Sequence, residues 1–510
     1  MERQVKATLP DQGQGRQALC ISMAVACGHN FTLALTQIGE VWSFGSGDDG
    51  QLGLGDTGHR LKPAWVGGRD FFEHPVILVA GGMAHAACVT SKGVLYTWGN
   101  GENGVLGDGF LKMRLIPVQI SSAMHGGQPA VMVSCGARHT LVLTEAGSVW
   151  TCGNGIFGKL GHGNEERQLT LKLVSMFEES GLEPGSAFQR MSMVAAGVDH
   201  SVALSSGGQV FTWGRAQNGC LGVTENSVVR RIFGEAHEIV IENKFVPTLV
   251  ARSSVERNEW FGGGHAVMVA AGGYHTVVVI EGGRPWVWGK GSCGQLGLGD
   301  RDDFYAPQEL PTNAFQEFQV LAAHCGIRNT VFLTGENMWT CGDNGCHVLG
   351  YSTNDFYGLV PRCIEQVHFK HKRIISAAIG SRHTVSVDQD GHLYSWGTAE
   401  WNLGEFQDHE ILYTKILGAI GHPLIRGDNI KTPLRLHGFY GDKIGSYQHT
   451  VAFAMCTHAR LGKKDNTLNF QYGQDGVCKW GEMPIDLVKK IIQACCIYPQ
   501  GVMRLLGGDI

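Results

Sequence analysis

The sequence predicts an all-β protein, a seven-bladed β-propeller of four-stranded blades with a short C-terminal helical extension. Three observations predict this fold: a repeated His-type position, a Gly that follows it, and a Leu-Gly pair that ends each copy. The first position recurs at steps of 54, 54, 61, 75, 54, 54 and 66 residues, at Phe31, His85, His139, His200, His275, Asn329, His383 and His449. Repeats of this length are typical of propellers and related arrays.

The two Gly landmarks keep a nearly constant distance from the His-type position. The first lies thirteen or fourteen residues later, at Gly45, Gly99, Gly153, Gly214, Gly289, Gly342 and Gly397. The Leu-Gly pair ends at Gly53, Gly107, Gly161, Gly222, Gly297, Gly350 and Gly404. Apolar stretches such as residues 86–89 and 94–98 lie between Gly turns, which is typical of strands joined as hairpins.

The four strands of a copy differ in side-chain size. Small residues dominate the first strand, so we expect it nearest the crowded axis of the ring. Aromatic residues dominate the third strand and should fill the gap between blades: Trp42, Tyr96, Trp150, Phe211, Trp286, Trp339 and Tyr394. We expect Pro at the start of a fourth, edge strand, where its missing N–H is not needed: Pro63, Pro117, Pro247, Pro307, Pro361 and Pro433.

These residues resemble the repeat of the regulator of chromosome condensation family. Its signature is a small-small-Gly-x-x-His-Thr run, an aromatic-x-Trp-Gly and a Gln-Leu-Gly, which the fifth copy carries at 269–276, 286–289 and 294–297. The match extends from about Val25 to Phe453, and it implies a seven-bladed β-propeller. Four positions depart from the pattern: Phe31 and Asn329 replace His, and Cys152 and Cys341 replace the second aromatic residue.

The number of landmarks raises the question of ring closure, since the His-type half occurs eight times and the Trp-Gly half seven times. Unpaired sheet edges are a liability, so we expect the two ends of the chain to share or compete for the closing blade; an eight-bladed ring is the alternative. The predicted domains are a polar tail over 1–20, the propeller over 21–456 and an extension over 457–510.

Composition narrows the classes of partner. The net charge is −5 and charged residues make up 17% of the chain, which argues against a direct grip on nucleic acid, because that requires a basic face. No apolar run is long enough for a membrane span, and the polar N-terminus does not resemble a secretory signal. We expect the 15 cysteines to be buried thiols of a cytoplasmic or nuclear protein.

Two recurrent motifs suggest chemistry that their context does not favour. Gly-x-Gly-x-x-Gly occurs at 45–50, 99–104, 153–158 and 289–294, and a dinucleotide site would need it once, before a helix. We interpret it as a wide turn between strands. One His per blade cannot converge on a metal ion, so we interpret His85, His139, His200, His275, His383 and His449 as structural residues whose ring nitrogens bond to turn backbone.

No residue pattern predicts catalysis or a cofactor. The chain contains no Gly-x-Ser-x-Gly elbow, His-Glu-x-x-His pair or Walker lysine. We therefore predict neither catalytic residues nor a cofactor nor a metal, and a protein that is not a bond-making enzyme.

The longest step between repeats identifies the candidate partner-binding residues, because binding residues in propellers commonly lie on loops. About twenty extra residues follow Gly222 and mix basic and apolar side chains. The candidates are Arg230, Arg231, Phe233 and Glu235. Two interpretations remain for this insert: a protruding hairpin, or a surface loop packed on its own blade.

A second candidate lies near the C-terminus. Residues 484–496 place apolar side chains at helical spacing, Leu487, Val488 and Ile491 among them. Pro484 suits the first turn of this predicted helix. The helix either docks on the propeller or binds a partner.

Two functions follow from the resemblance. Most relatives use this propeller as a binding platform, so a non-enzymatic scaffold for a protein partner is the leading interpretation. The founding member exchanges guanine nucleotide on the small GTPase Ran, so an exchange factor for a Ran-like or other small GTPase is the alternative. The plant ultraviolet-B photoreceptor of this family carries Trp inside the Gly-x-x-His motif, and this chain does not.

Overall fold

The computed structural model describes residues 22–67, 73–177, 190–223, 228–231, 237–240, 242–250, 260–351, 353, 355–398 and 430–436. Within these ranges the chain forms seven four-stranded antiparallel sheets and one separate two-stranded sheet. The predicted seven-bladed β-propeller of four-stranded blades is therefore confirmed.

Each blade is made from one stretch of chain. Blade 1 contains β1 Ser22–Cys27, β2 Phe31–Thr36, β3 Val41–Gly45 and β4 Arg60–Trp65. Blade 2 contains β5 Val76–Gly81, β6 His85–Thr90, β7 Leu95–Gly99 and β8 Arg114–Ile120. Blade 3 contains β9 Ala130–Cys135, β10 His139–Thr144, β11 Val149–Gly153 and β12 Gln168–Leu173. Blade 4 contains β13 Met191–Ala196, β14 His200–Ser205, β15 Val210–Gly214 and β18 Lys244–Leu249, and the hairpin strands between the last two are β16 Val228–Arg231 and β17 His237–Val240.

The remaining three blades follow the same order without interruption by a further sheet. Blade 5 contains β19 Ala266–Ala271, β20 His275–Ile280, β21 Arg284–Gly289 and β22 Phe304–Glu309. Blade 6 contains β23 Val320–Cys325, β24 Asn329–Thr334, β25 Met338–Asp343 and β26 Tyr357–Cys363. Blade 7 contains β27 Ile374–Ile379, β28 His383–Asp388, β29 Leu393–Gly397 and β30 Ile430–Arg435.

The ring closes by direct contact between the first and last blades. The first strands of all seven blades lie side by side around the axis, and β1 lies beside β27. Blade 7 is complete with β30, so the expectation that both ends of the chain share one closing blade is wrong, and so is the eight-bladed alternative. The eighth His-type position, His449, lies outside the described residues.

The described hydrophobic core contains one cluster at each of the seven interfaces between neighbouring blades, and a small further cluster of Val348, Leu349 and Tyr351 within blade 6. The third-strand residues fill the gaps between blades, as predicted: Trp98 belongs to the cluster that contains Leu33 of blade 1, and Trp213 to the cluster that contains Leu141 of blade 3. Phe44 belongs to the same cluster as Val385 of blade 7, and this cluster lies at the closure of the ring. All seven predicted third-strand aromatics belong to these clusters.

Pro lies inside the fourth strand and not at its start, which corrects the prediction. In blade 2, Thr97 pairs with Val118 and Gly99 with Arg114, so the register shifts across Pro117. A residue at such a bulge has no ladder hydrogen bond to donate, and Pro loses nothing there. Five other blades repeat the arrangement, at Pro63, Pro247, Pro307, Pro361 and Pro433.

The Gly that ends each third strand occupies a conformation closed to other residues. Gly289 has a φ of 106°, and a Cβ there would lie 2.5 Å from the carbonyl oxygen of Tyr274. Each Gly-x-Gly-x-x-Gly segment leads from a third to a fourth strand, so its interpretation as a turn is confirmed.

Some predictions fall on residues that the structure does not describe. They are the tail over 1–20, the extension over 457–510, its helix over 484–496 and the Leu-Gly pair ending at Gly404. Among the described residues, no helix has both the length and the apolar character to cross a membrane.

Candidate partner-binding face

One end of the propeller carries the long insert of blade 4. Because the strands of a blade alternate in direction, the turn after the first strand and the loop after the third strand open at the same end. We call this end the loop face. The short second-to-third turns and the connections between blades lie at the other end.

The insert of blade 4 is a hairpin on the loop face. It leaves the blade after β15 and returns at β18, and β16 pairs antiparallel with β17 from Val228↔Val240 to Arg231↔His237. The two paired strands of the predicted hairpin are therefore confirmed, and its protrusion from the blade stays a prediction. Arg230 and Arg231 lie in β16. Phe233 and Glu235 lie in the connection between the strands, outside the described residues.

The foot of the hairpin is held against its blade. The backbone N–H of Ala216 donates to the side-chain oxygen of Asn243 at 3.0 Å. The adjoining turn is tied to the next blade, because the Asn218 amide donates to the Asp303 carboxylate at 2.9 Å. The hairpin thus begins and ends on fixed backbone.

A buried ion pair joins blades 3 and 4 beside this foot. Lys159 Nζ lies 2.6 Å from the Asp199 carboxylate, and Arg215 approaches the same carboxylate at 3.4 Å. Burial lowers the pKa of Lys159, while Asp199 opposes that shift. The Arg215 guanidinium also stacks 4.6 Å from the centre of the Phe157 ring. Breaking a buried pair leaves an uncompensated charge, so this junction resists rearrangement.

A collar of backbone hydrogen bonds surrounds the axis on the loop face. The N–H of Met83 donates to the carbonyl of Gly136 at 3.3 Å, and the N–H of Gly273 donates to Gly326 at 3.0 Å. At the closure, Ser381 donates to the carbonyl of His29 through its N–H at 3.3 Å and its hydroxyl at 2.9 Å. We call the two residues before each His-type position the axial ring: 29–30, 83–84, 137–138, 198–199, 273–274, 327–328 and 381–382.

The repeat histidines link five of the seven blades to the next blade. His85 Nε2 lies 2.9 Å from the Thr140 hydroxyl, which donates onward to the carbonyl of Val105 at 2.7 Å. Because the Thr140 hydroxyl donates its hydrogen to Val105 O, it accepts from His85, and the hydrogen of the imidazole therefore lies on Nε2. The same contact joins His139 to Ser201, His200 to Thr276, His275 to Thr330 and His383 to Thr32. We predicted bonds to turn backbone; the partner is instead a hydroxyl on the neighbouring blade.

The third-strand Trp residues reach the same carbonyls. The Trp213 indole donates to Lys159 O at 2.9 Å, where the Ser201 hydroxyl also donates at 2.7 Å. Where Cys replaces Trp, the thiol keeps the contact: Cys152 Sγ lies 3.5 Å from Val105 O. Cys341 Sγ likewise lies 3.6 Å from Gln295 O. The two departures from the repeat therefore preserve a donor.

The histidines are neutral at physiological pH. Burial lowers the pKa of His85, His200 and His383 to about 4 and that of His275 to about 3. Their positions within separate interfaces explain why they do not converge. In the part of the chain that the structure describes, no group of three His, Cys, Asp or Glu side chains could hold a metal ion.

The sequence also matches known families over most of this architecture. The profile of the RCC1-like domain matches residues 116–422, and profiles of the regulator of chromosome condensation (RCC1) repeat match 39–89 and 24–51. The chain belongs to the RCC1 family. Its repeated Gly and His positions are thus those of an RCC1-type propeller.

Individual relatives share parts of this RCC1-type propeller. The ultraviolet-B receptor UVR8 of Arabidopsis thaliana is 33% identical over 288 residues, which are 56% of this chain and 56% of UVR8. The ubiquitin ligase HERC2 of Homo sapiens is 28% identical over 393 residues, which are 77% of this chain and 7% of HERC2. The chain thus spans about half of one relative and a small part of the other.

A solved structure shows the same fold. Prp20p of Saccharomyces cerevisiae superimposes with a TM-score of 0.59 at 19% identity, over 83% of this chain and 88% of that one. At this identity the likeness concerns the fold alone. The sequence located the insert through the long repeat step, but it gave no sign of the hydroxyl partners of the histidines, because these depend on which blades are neighbours.

Proposed function

We propose that this chain is a protein–protein interaction scaffold whose partner binds the loop face at blade 4. The observation that carries the proposal is the β16–β17 hairpin, which belongs to none of the blades formed by the described strands. Binding residues are commonly found on loops that a rigid scaffold positions. The candidate contacts are Arg230, Arg231, Phe233 and Glu235.

The fixed foot of the hairpin supports this function. Binding costs less when the binding surface is already ordered, because fewer side chains and loops lose freedom on association. The Ala216–Asn243 bond restrains the backbone at the foot of the insert, and the Lys159–Asp199 pair joins blade 4 to blade 3. A partner that binds there would meet a surface whose base is set by two blades.

The relatives support a role as a module. HERC2 is named a ubiquitin ligase, and this chain matches only 7% of it. A propeller that makes up so small a share of a large protein is expected to act as a binding unit within it. UVR8 is named a receptor, and none of the axial-ring positions of this chain holds the Trp that the photoreceptor interpretation requires.

Affinity purification tests the scaffold. The full chain is compared with the double variant R230A/R231A and with a matched control, R167A/K172A, which removes two exposed basic side chains from blade 3. We expect partners bound by the full chain and by the control to be lost from R230A/R231A. Partner sets that are identical for all three proteins would contradict binding at the hairpin.

The same hairpin favours a second candidate, nucleotide exchange on a small GTPase. Family resemblance implies a propeller face that holds the GTPase and a hairpin that reaches its nucleotide. Prp20p is described as binding Gsp1p and histones. In this chain the β16–β17 hairpin would be the displacing element.

Nucleotide release separates the two candidates. Small GTPases, Ran among them, are loaded with fluorescent GDP and mixed with the full chain or with a variant in which a Gly-Ser linker replaces residues 224–241. Exchange predicts faster release with the full chain and basal release with the variant. No acceleration from any GTPase would remove this candidate and leave the scaffold in place.

The predicted C-terminal helix is tested in the same purification. Removal of residues 476–510 should eliminate some partners if the helix binds them. A helix that docks on the propeller predicts an unchanged set of partners.

A further inference from the structure

The axial ring carries more positive than negative charge. Its arginines are Arg138, Arg328 and Arg382, and the first two are exposed. The Arg328 guanidinium lies 3.6 Å from the Asp343 carboxylate with 60% of its side chain exposed. Among the described residues, no carboxylate forms an ion pair with Arg138 or Arg382. Two guanidinium groups beside the axis are therefore available to a ligand.

The one acidic residue of the axial ring is already neutralised. Asp199 shares its carboxylate between Lys159 at 2.6 Å and Arg215 at 3.4 Å. A further cation stands beside the ring, since Lys290 Nζ lies 5.5 Å from the centre of the Tyr274 ring. The charges around the axis therefore sum to a positive field.

The positive charge of Arg382 in blade 7 affects the pKa of His29 in blade 1, across the closure of the ring. Burial lowers the pKa of His29, and the positive charge of Arg382 lowers it further. His29 thus stays neutral, and the hydroxyl and backbone of Ser381 hold its carbonyl. Arg382 is the charge that this part of the axial ring presents.

The outer part of the loop face has the opposite character. In the described third-to-fourth loops, exposed acidic side chains outnumber exposed basic ones: Asp48, Asp56, Glu102, Glu165, Glu166, Glu242, Asp300, Asp302 and Asp355 stand against Lys112, Arg167 and Arg301. Among the residues whose exposure the structure describes, the loop face therefore has a basic centre and an acidic rim.

We propose that the axial ring binds a short acidic segment of a protein partner, with carboxylates paired to Arg138, Arg328 and Arg382. Arg is suited to this role because its planar guanidinium can bind a carboxylate through two parallel hydrogen bonds. The inference rests on the proposed function, since it specifies the chemistry of a partner on the loop face.

The acidic rim selects a peptide over a nucleic acid. A polyphosphate strand that crossed the axis would continue over the rim, where like charges repel it. A peptide segment carries its charges over a limited length and can leave the ring through uncharged residues. The net charge of −5 agrees with this choice.

Fluorescence anisotropy on the full chain tests the inference. The probe is a short labelled peptide of alternating Asp and Gly, and the comparison probes are its Asn analogue and an oligothymidylate of matched charge. We expect the Asp peptide to bind, the Asn analogue not to bind, and the Asp peptide to bind more weakly as salt screens the charges.

Two triple variants locate the binding. R138Q/R328Q/R382Q removes the axial charges, and K92Q/K370Q/R373Q removes three charges from the opposite face. Circular dichroism checks that both fold. The axial variant should bind the Asp peptide at least about tenfold more weakly, as expected for Arg residues that dominate an interface, and the control should match the unmodified chain.

Three results would overturn the inference: no anisotropy change up to about 1 mM Asp peptide, equal affinity in the axial variant, or tighter binding of the oligothymidylate. The proposed function fails separately. If the purification shows partners that depend on Arg230 and Arg231 while the Asp peptide does not bind, only the axial inference is lost.

Discussion

The interface between blades 1 and 2 and the interface between blades 5 and 6 solve the same packing problem differently. Between blades 5 and 6, His275 bonds to the Thr330 hydroxyl at 2.9 Å. Between blades 1 and 2, the corresponding residues are Phe31 and Ala86, and both are fully buried. The histidine and the hydroxyl are thus missing together, and no polar group is left without a partner.

This difference shows that the repeat accepts an apolar pair in place of the histidine and the hydroxyl. A His opposite Ala86 would bury an N–H without an acceptor. A Phe opposite a Thr would leave no donor unpaired, because the Thr hydroxyl still donates to a carbonyl, but the bond between His and Thr would be lost. Blade 6 gives a third solution, because Asn329 donates within its own blade to the carbonyl of Asp343. The Thr384 hydroxyl still bonds to Val348 O at 2.7 Å.

The largest expected effect of this difference is on acid stability. The five neutral histidines have a pKa of 6.5 in the unfolded chain and, for three of them, about 4 in the folded one. The unfolded state therefore binds more protons, and stability present above pH 6.5 is lost as the pH falls toward 4. Each histidine contributes a slope of about 1.4 kcal/mol per pH unit in that window.

Urea unfolding between pH 7 and 4.5 measures this slope. His275→Asn should reduce it by about one proton. Phe31→Leu is the control, because it perturbs the interface that has no imidazole: it should lower stability at every pH and leave the slope unchanged. Equal slopes for the unmodified chain and His275→Asn would refute the assignment of a neutral buried imidazole.

The second effect concerns the indole donors at the two kinds of interface. Trp98 is the side-chain donor to Gln51 O, at 2.9 Å, because Ala86 supplies no hydroxyl. Cys220 O receives both Trp288 at 3.0 Å and Thr276 at 2.8 Å. Trp98→Phe leaves its buried carbonyl without a side-chain donor, so it should cost about 1 kcal/mol more than Trp288→Phe. Urea titrations of both variants at pH 7 check the difference.

Both Trp substitutions remove the same volume from a fully buried site, so the cavity cost should be similar and cancel in the comparison. Equal losses of stability would mean that the carbonyl at blade 1 does not depend on the indole.

The smallest effect should come from rebuilding the missing contact. Phe31→His and Ala86→Thr together place an imidazole opposite a hydroxyl at the interface of blades 1 and 2. We expect the double variant to be more stable than the sum of the single variants by about 1 kcal/mol, measured as a double-mutant cycle in urea. Phe31→His combined with Thr140→Ala is the control pair and should be additive.

The sequence predicted the strands within each blade better than the contacts between neighbouring blades. Period-2 stretches and Gly landmarks identify strands because each signal is local, and Gly289 shows why: its φ of 106° excludes a side chain wherever the turn recurs. The bond from His85 to Thr140 spans 55 residues, and nothing near either residue marks it. Ring closure was mispredicted for the same reason, because it depends on contact between β1 and β27.

The loop face likewise has one part that the sequence predicted and one part that it did not. A long repeat step revealed the insert of blade 4, since an insertion is visible as a change of spacing, but the spacing left a hairpin and a surface loop as alternatives. The basic axial ring was not predicted, because Arg138, Arg328 and Arg382 lie far apart in sequence and become neighbours of one axis only when the ring closes.

The contact from histidine to hydroxyl runs in one rotational sense, since blades 2, 3, 4, 5 and 7 each offer an imidazole to the next blade. Blades 3, 4, 5 and 7 carry both the imidazole and the hydroxyl, so a duplicate of one of them could form the contact with a neighbour of the same kind. Blade 2 differs, because Ala86 offers no hydroxyl, and it suits a predecessor such as blade 1, whose Phe31 needs none. Blades 1 and 2 are therefore less exchangeable with their neighbours than the blades that carry both groups.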